Sequence, residues 1–140
     1  MKNLILILSI VFLSATACKQ TPKKDQGPTQ MEKVMAVHDS LMPKMNTLTK
    51  LVAELNEKAD TTETGMKYEA AKKDLQAAHK SMMDWMQDFG TKFDHEEILK
   101  RKELTPEKKE LLNEEEKEVE GLKEQIDTSI KNAEVLLGEN

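Results

Sequence analysis

Cysteine, aromatic residues and strand-forming residues are all scarce in this 140-residue chain. Its one cysteine, Cys18, excludes an intramolecular disulfide. The aromatic residues are one tryptophan, one tyrosine and three phenylalanines, whereas Ala, Leu, Glu, Lys and Met abound. This composition predicts an all-α protein.

Basic residues are in the minority, with 21 Lys and Arg against 26 Asp and Glu and a formal net charge of −5. That balance argues against nucleic acid as a partner, because phosphate neutralisation needs a basic surface. The chain also lacks a glycine-rich phosphate loop and any serine or threonine in a recognisable setting with histidine and carboxylate. The run DHEE at 94–97 is interpreted as a solvated linker. We therefore predict a protein that is not an enzyme.

The amino terminus predicts export. Residues 1–17, MKNLILILSIVFLSATA, join one basic residue to an apolar run too short to span a bilayer and end in small residues. Cys18 follows directly, and this arrangement resembles the lipobox of bacterial lipoproteins, in which the cysteine is lipidated and becomes the first residue. The resemblance implies a membrane anchor on Cys18, and Lys19 after it favours the outer membrane, with the protein facing the periplasm.

Three segments follow from this pattern: a signal peptide over 1–17, a flexible tether over 18–30 and a helical domain over 31–140. The tether contains prolines, a glycine and no large apolar residue, so it cannot contribute to a core.

The domain carries three long helical patterns. The first runs from Met31 to Ala59 with apolar residues at alternating spacings of three and four, and Pro43 predicts a kink after Met42. The second extends to about Phe89, where Gly90 suits the stop position. The third begins at Thr105-Pro106, a strong helix start, and runs to about Leu137. These patterns predict an elongated antiparallel three-helix bundle with coiled-coil-like heptad packing.

Finer expectations concern the linker and the third helix. Between the second and third helices the chain is charged, with a possible short helix supported by pairs from Glu96 to Lys100 and from Glu97 to Arg101. We expect apolar residues there to fold back over the bundle end: Phe93, Ile98 and Leu99. Glu115 falls on the apolar seam of the third helix near its loop end, where we expect it to be partly exposed.

Two segments are rich in methionine and histidine: MEKVMAVHDSLMPKM at 31–45 and HKSMMDWMQDF at 79–89. If the turn between the first two helices is centred near Thr62, residues whose numbers sum to about 124 face each other. That places His38 near Trp85 and Met86, Met42 near Met82, and Met45 near His79.

Two interpretations of these segments stay open. Thioether and imidazole groups are suited to Cu(I), and the candidate copper ligands are Met35, His38, Met42, Met45, His79, Met82, Met83 and Met86. Alternatively, the methionines fill irregular gaps in the core and pack against an aromatic ring, and the histidines are core residues. A methionine-rich surface could also bind an apolar partner.

The first segment, followed after a helical spacer by SMMDWMQDF and preceded by Cys18 behind its signal, resembles a family of small bacterial envelope lipoproteins often labelled "viral A-type inclusion protein". The resemblance implies the lipid anchor and the helical architecture and carries no activity. We therefore predict a lipid-anchored envelope protein that works as a structural or interaction module, with another envelope protein as its partner. The alternative is a periplasmic lipoprotein that binds or buffers copper. The oligomeric state stays open.

Overall fold

A computed structural model describes residues 27–138. Within that range the backbone forms four helices and no strand: α1 (Gln30–Lys58), α2 (Glu63–Lys92), α3 (His95–Leu99) and α4 (Pro106–Gly138). The three long helices, α1, α2 and α4, each contact the other two. The predicted all-α three-helix bundle is confirmed.

The predicted signal peptide and Cys18 lie outside the described residues, as does most of the tether. Across residues 27–138, no helix combines the length and the apolar composition that crossing a bilayer requires.

Helix α1 begins at a capping box and stays continuous to Lys58. The Thr29 hydroxyl accepts from the backbone N–H of Glu32, whose carboxylate accepts in return from the backbone N–H of Thr29 at 2.7 Å. Most apolar positions of the seam predicted from the heptad are buried, including Val34, Leu41, Leu48 and Leu55, while Met45 and Val52 are partly buried. Pro43 lies inside the helix on its exposed side.

The turn between α1 and α2 depends on Asp60, Thr62 and Gly65. The Asp60 carboxylate accepts from the backbone N–H of Thr62 at 2.8 Å, and the Thr62 hydroxyl caps α2 by accepting from the backbone N–H of Gly65 at 3.0 Å. A Cβ added at Gly65 would lie 1.9 Å from Asp60 Oδ1, so only glycine fits this first turn of α2. The Thr62 cap, only four residues after the end of α1, thus begins α2.

The predicted end of α2 near Phe89 and Gly90 is wrong. The helix continues to Lys92, and no glycine among the described residues has a positive φ. The extra turn carries Phe93 into the core, where its ring stacks on Phe89 with centroids 4.8 Å apart. Aromatic burial one turn further on thus outweighs the conformational cost of a helical glycine, which is about 1 kcal/mol.

The segment between α2 and α4 folds back only in part. Phe93 is buried and Ile98 packs against the core as predicted, but Leu99 is 64% exposed, which corrects our expectation for that residue. Leu99 is the last residue of the short helix α3, and two residues later Arg101 adopts a φ of 54°, so the helical pattern that predicted the burial of Leu99 does not continue there.

The ion pairs of this segment also differ from prediction at one place. Glu96 pairs with Lys100 as expected, at 3.3 Å. Arg101, however, pairs with Glu32 at the start of α1, at 2.7 Å, and Glu97 does not hold it. The left-handed backbone at Arg101 aims its side chain at α1, which the pattern of a continuous helix could not predict.

Candidate functional site

The two methionine–histidine segments face each other as the sequence predicts. The imidazole of His38 on α1 lies against the indole of Trp85 on α2, with ring centroids 5.8 Å apart. The residue numbers of this pair sum to 123, so the predicted contact between His38 and Trp85 is confirmed. His38 Nδ1 lies 3.0 Å from the carboxylate of the exposed Asp39, and the His38 side chain is 12% exposed.

His79 has different surroundings from His38. It borders a groove of about 330 Å³ between α1 and α2, together with Val52, Leu75 and others. Trp85, the ring partner of His38, lies six residues beyond His79, or about 9 Å along the helix. The two imidazoles therefore occupy separate levels of the bundle in this structure.

The eight candidate copper ligands divide by exposure. Met82 is fully buried in the core, and five are partly buried: Met35, His38, Met42, Met45 and His79. Met83 and Met86 are exposed, by 50% and 37%. His79, Met83 and Met86 are spaced four and three residues apart on one face of α2. We call these three residues the exposed strip, in which Met83 and Met86 are exposed and His79 is half-buried beside them.

Packing explains the inner methionines and leaves the exposed strip without a structural role. Met82 lies in the hydrophobic core, and Met35, Met42 and Met45 pack against it. Copper binding by any of the eight residues stays a prediction. If it occurs in this arrangement, the ion takes one histidine and neighbouring thioethers, because the histidines lie on different levels.

A ladder of aromatic rings leads from His38 to the end of the bundle. Trp85 stacks on Phe89 at 4.9 Å between centroids, Phe89 stacks on Phe93, and the ammonium of Lys108 lies 5.8 Å from the Phe93 ring. The Trp85 indole Nε1 is buried and has no hydrogen-bond partner in the described part of the chain. The ladder joins α1, α2 and α4 into one packed unit at this end.

Glu115 of α4 forms a layer of charged side chains with Lys92 and Asp88 of α2, which the sequence analysis did not predict. We expected it to be partly exposed, but its side chain is 0% exposed. Its Oε1 accepts from the Lys92 ammonium at 2.6 Å, and the same ammonium pairs with Asp88 at 2.5 Å. Hydrogen bonds to Asp88 and to Glu115 raise the pKa of Lys92 well above its ordinary value. The seam position of Glu115 was the available signal that it would be buried.

Two carboxylates of this layer and a third one beside them form an acidic group. One oxygen each from Asp88, Glu115 and Glu118 lies within 4.8 Å of the others. Asp88 and Glu118 are exposed, and both line an open cleft of about 480 Å³ between α2 and α4. The cleft therefore opens beside Asp88 and Glu118, the two exposed members of the group, while Glu115 lies buried behind them.

A second polar cluster holds α3 in place. The Asp94 carboxylate accepts from the backbone N–H groups of Glu96 and Glu97 at 2.8 and 2.9 Å, and from the Lys102 ammonium at 3.0 Å. The buried Glu97 carboxylate accepts from Lys108 at 2.6 Å, and the Lys108 bond is the main reason that the pKa of Glu97 is lowered. This cluster supports structure, because each carboxylate already has its donors.

We expect Asp94 to titrate far below an ordinary aspartate. Hydrogen bonds from the backbone of Glu97 and from the side chain of Lys102 lower its pKa from 3.8 to about 2. The α3 cap is therefore complete above pH 4 and is lost as the pH falls through about 2. Carboxyl NMR of the full chain measures this midpoint. Lys102→Ala should raise it while the backbone donors remain, and a wild-type midpoint near 4 would contradict the capping geometry.

Comparisons of this chain with protein-family models, curated proteins and solved structures find no match. The resemblance to envelope lipoproteins therefore stays a prediction, and a functional proposal has to rest on the residues themselves.

Proposed function

We propose that this protein is a lipid-anchored helical module of the bacterial cell envelope that binds another envelope protein and catalyses no reaction. The observation that carries the proposal is the exposed strip of His79, Met83 and Met86. Unbranched methionine side chains adapt to partners of different shape, so they suit a protein-binding surface. Five other methionines lie in the core or pack against it: Met31, Met35, Met42, Met45 and Met82. Met66 in the first turns of α2 is also exposed but stands alone, so Met83 and Met86 form the exposed methionine pair that packing does not explain.

The anchor is supported by the sequence around Cys18, and its reach is set by chain geometry. Gln30, where α1 begins, lies twelve residues after Cys18. A fully extended segment of that length spans at most about 40 Å. The start of α1 would then lie within that distance of the outer membrane, and the bundle would face the periplasm.

Photo-crosslinking in living cells tests both parts of the proposal. A photoreactive amino acid is placed in the full chain at Met83 or at Met86, and the matched control position is Lys73, which is exposed on another face of α2. We expect one discrete crosslinked protein from positions 83 and 86 and none from position 73. The product should be found in the membrane fraction.

The same crosslink in a Cys18→Ala background separates anchoring from binding. We expect this variant to take up no labelled fatty acid and to lose most of the crosslink, because the partner is no longer met at the membrane. Equal crosslinking at positions 73, 83 and 86 would reject the strip as a binding surface. Equal fatty-acid uptake by the wild type and Cys18→Ala would reject the anchor.

A further inference from the structure

The acidic group of Asp88, Glu115 and Glu118 has the dimensions of a cation site. Its three carboxylate oxygens lie within 4.8 Å of one another. Calcium binds oxygen ligands at about 2.3–2.6 Å, so two ligands on opposite sides of the ion lie up to about 5 Å apart. One ion can therefore reach all three carboxylates without a large movement of the helices.

Glu115 supplies a second observation that points to a ligand. Its side chain is fully buried, yet its Oε2 has no hydrogen-bond partner in the described structure. A buried carboxylate oxygen without a partner costs free energy that a bound cation recovers. Calcium commonly takes both oxygens of one glutamate, which would satisfy Oε1 and Oε2 together.

In this structure the ammonium group of Lys92 is the cation that lies at the site. The ammonium lies 2.5 Å from Asp88 and 2.6 Å from Glu115, and the Lys92 side chain is 25% exposed, so it has a path to solvent. The ammonium pairs with two of the three carboxylates and carries one charge, so the group keeps an excess of negative charge. Glu118 and Asp88 border the open cleft, through which an ion and its water ligands can enter.

We propose that Asp88, Glu115 and Glu118 bind a divalent cation of the calcium class, which enters through the cleft and displaces the Lys92 ammonium. The three carboxylates supply hard oxygen ligands from two helices, and water completes the coordination shell. Lys92 balances part of the negative charge when no ion is present. The bound ion would fasten α2 to α4 beside the aromatic ladder.

Terbium luminescence tests this proposal, since terbium(III) binds where calcium does and is excited by a nearby indole. Trp85 is the only tryptophan in the chain and lies three residues before Asp88, or about 5 Å along the helix. The full chain in detergent is titrated with terbium(III) and excited through Trp85. We expect a saturable signal of one ion per chain that calcium chloride displaces.

Variants connect the signal to the three carboxylates. Asp88→Asn with Glu118→Gln changes exposed residues and should weaken binding at least about tenfold, because affinity follows ligand charge. Lys92→Met, with its helix content checked by circular dichroism, should bind at least about tenfold more tightly, because the competing cation is gone.

The matched control is Glu54→Gln with Glu57→Gln, two exposed glutamates three residues apart on α1. It removes the same number of charges and should leave the affinity unchanged. Absence of a saturable signal in the wild type, or equal binding by the Asp88→Asn, Glu118→Gln variant, overturns the proposal.

Discussion

Replacing Trp85 by alanine is expected to lower the free energy of unfolding by about 3–5 kcal/mol. The indole is 6% exposed and contacts His38 on α1 and Phe89 one turn further along α2. Its removal leaves a cavity where the two methionine–histidine segments meet, and the neighbouring rings can fill it only in part. Urea unfolding of the full chain, followed by circular dichroism, measures the change.

Trp85→Phe is the matched control, because it keeps an aromatic ring and removes the indole N–H that has no partner. The smaller ring destabilises the core, whereas removal of the buried N–H that has no partner stabilises it. Because these effects oppose each other, we expect the free energy of unfolding to change by less than about 1.5 kcal/mol. Met83→Ala, an exposed neighbour, should change stability by less than about 0.5 kcal/mol. If Trp85→Ala behaves like Met83→Ala, the aromatic ladder does not stabilise the bundle.

Most of the fold could be predicted from apolar spacing and helix ends. The seams of α1, α2 and α4 follow a heptad, so their core positions are set by the period alone. Thr62 before α2 and Thr105-Pro106 before α4 are start signals that work locally, through side-chain capping and the fixed φ of proline. The contact between His38 and Trp85 could be predicted because the turn between α1 and α2 is short. A short turn leaves little freedom in how the two helices are aligned along their length.

Two of the errors, the end of α2 and the exposure of Glu115, have one physical origin at the far end of α2. Gly90 was interpreted as a stop because a glycine often ends a helix, but Phe93 lies where one further turn can bury it. The same added turn carries Lys92 into reach of Glu115. A charged side chain on an apolar seam is buried only when an opposite charge lies next to it. With α2 predicted to end before Lys92, Glu115 had no such partner, and it was therefore expected to be partly exposed.

The sequence predicted which residues make up the candidate site but not how exposed each of them is. Heptad positions correctly place His38 and Met82 towards the interior, but residues beside a seam can turn either way in a three-helix bundle. Met42 and Met83 both lie next to seam positions, and the first is half-buried while the second is exposed. That difference depends on where α4 covers α2, which no local pattern determines.

Replacing Lys92 by methionine is expected to destabilise the protein by about 3–5 kcal/mol. Glu115 would stay fully buried and lose the ammonium that now lies 2.6 Å from its Oε1. An uncompensated buried charge costs several kcal/mol, whereas the pair itself contributes little, because desolvation offsets the attraction. Thermal or urea unfolding at pH 7 of the full chain, in a buffer with a chelator to remove divalent ions, measures this effect.

The double variant Lys92→Met, Glu115→Met distinguishes an uncompensated charge from lost packing. It replaces both charges by apolar side chains of similar volume and should return to within about 1 kcal/mol of the wild type. Lys80→Met, which breaks the exposed pair with Asp84, should cost less than about 0.5 kcal/mol. If the double variant is as unstable as Lys92→Met, the aliphatic stem of Lys92 and not its charge supports the packing of α2 on α4. If the double variant is as stable as the wild type, the charge of Glu115 destabilises the bundle unless a cation lies beside it. This is the behaviour expected of a cation ligand.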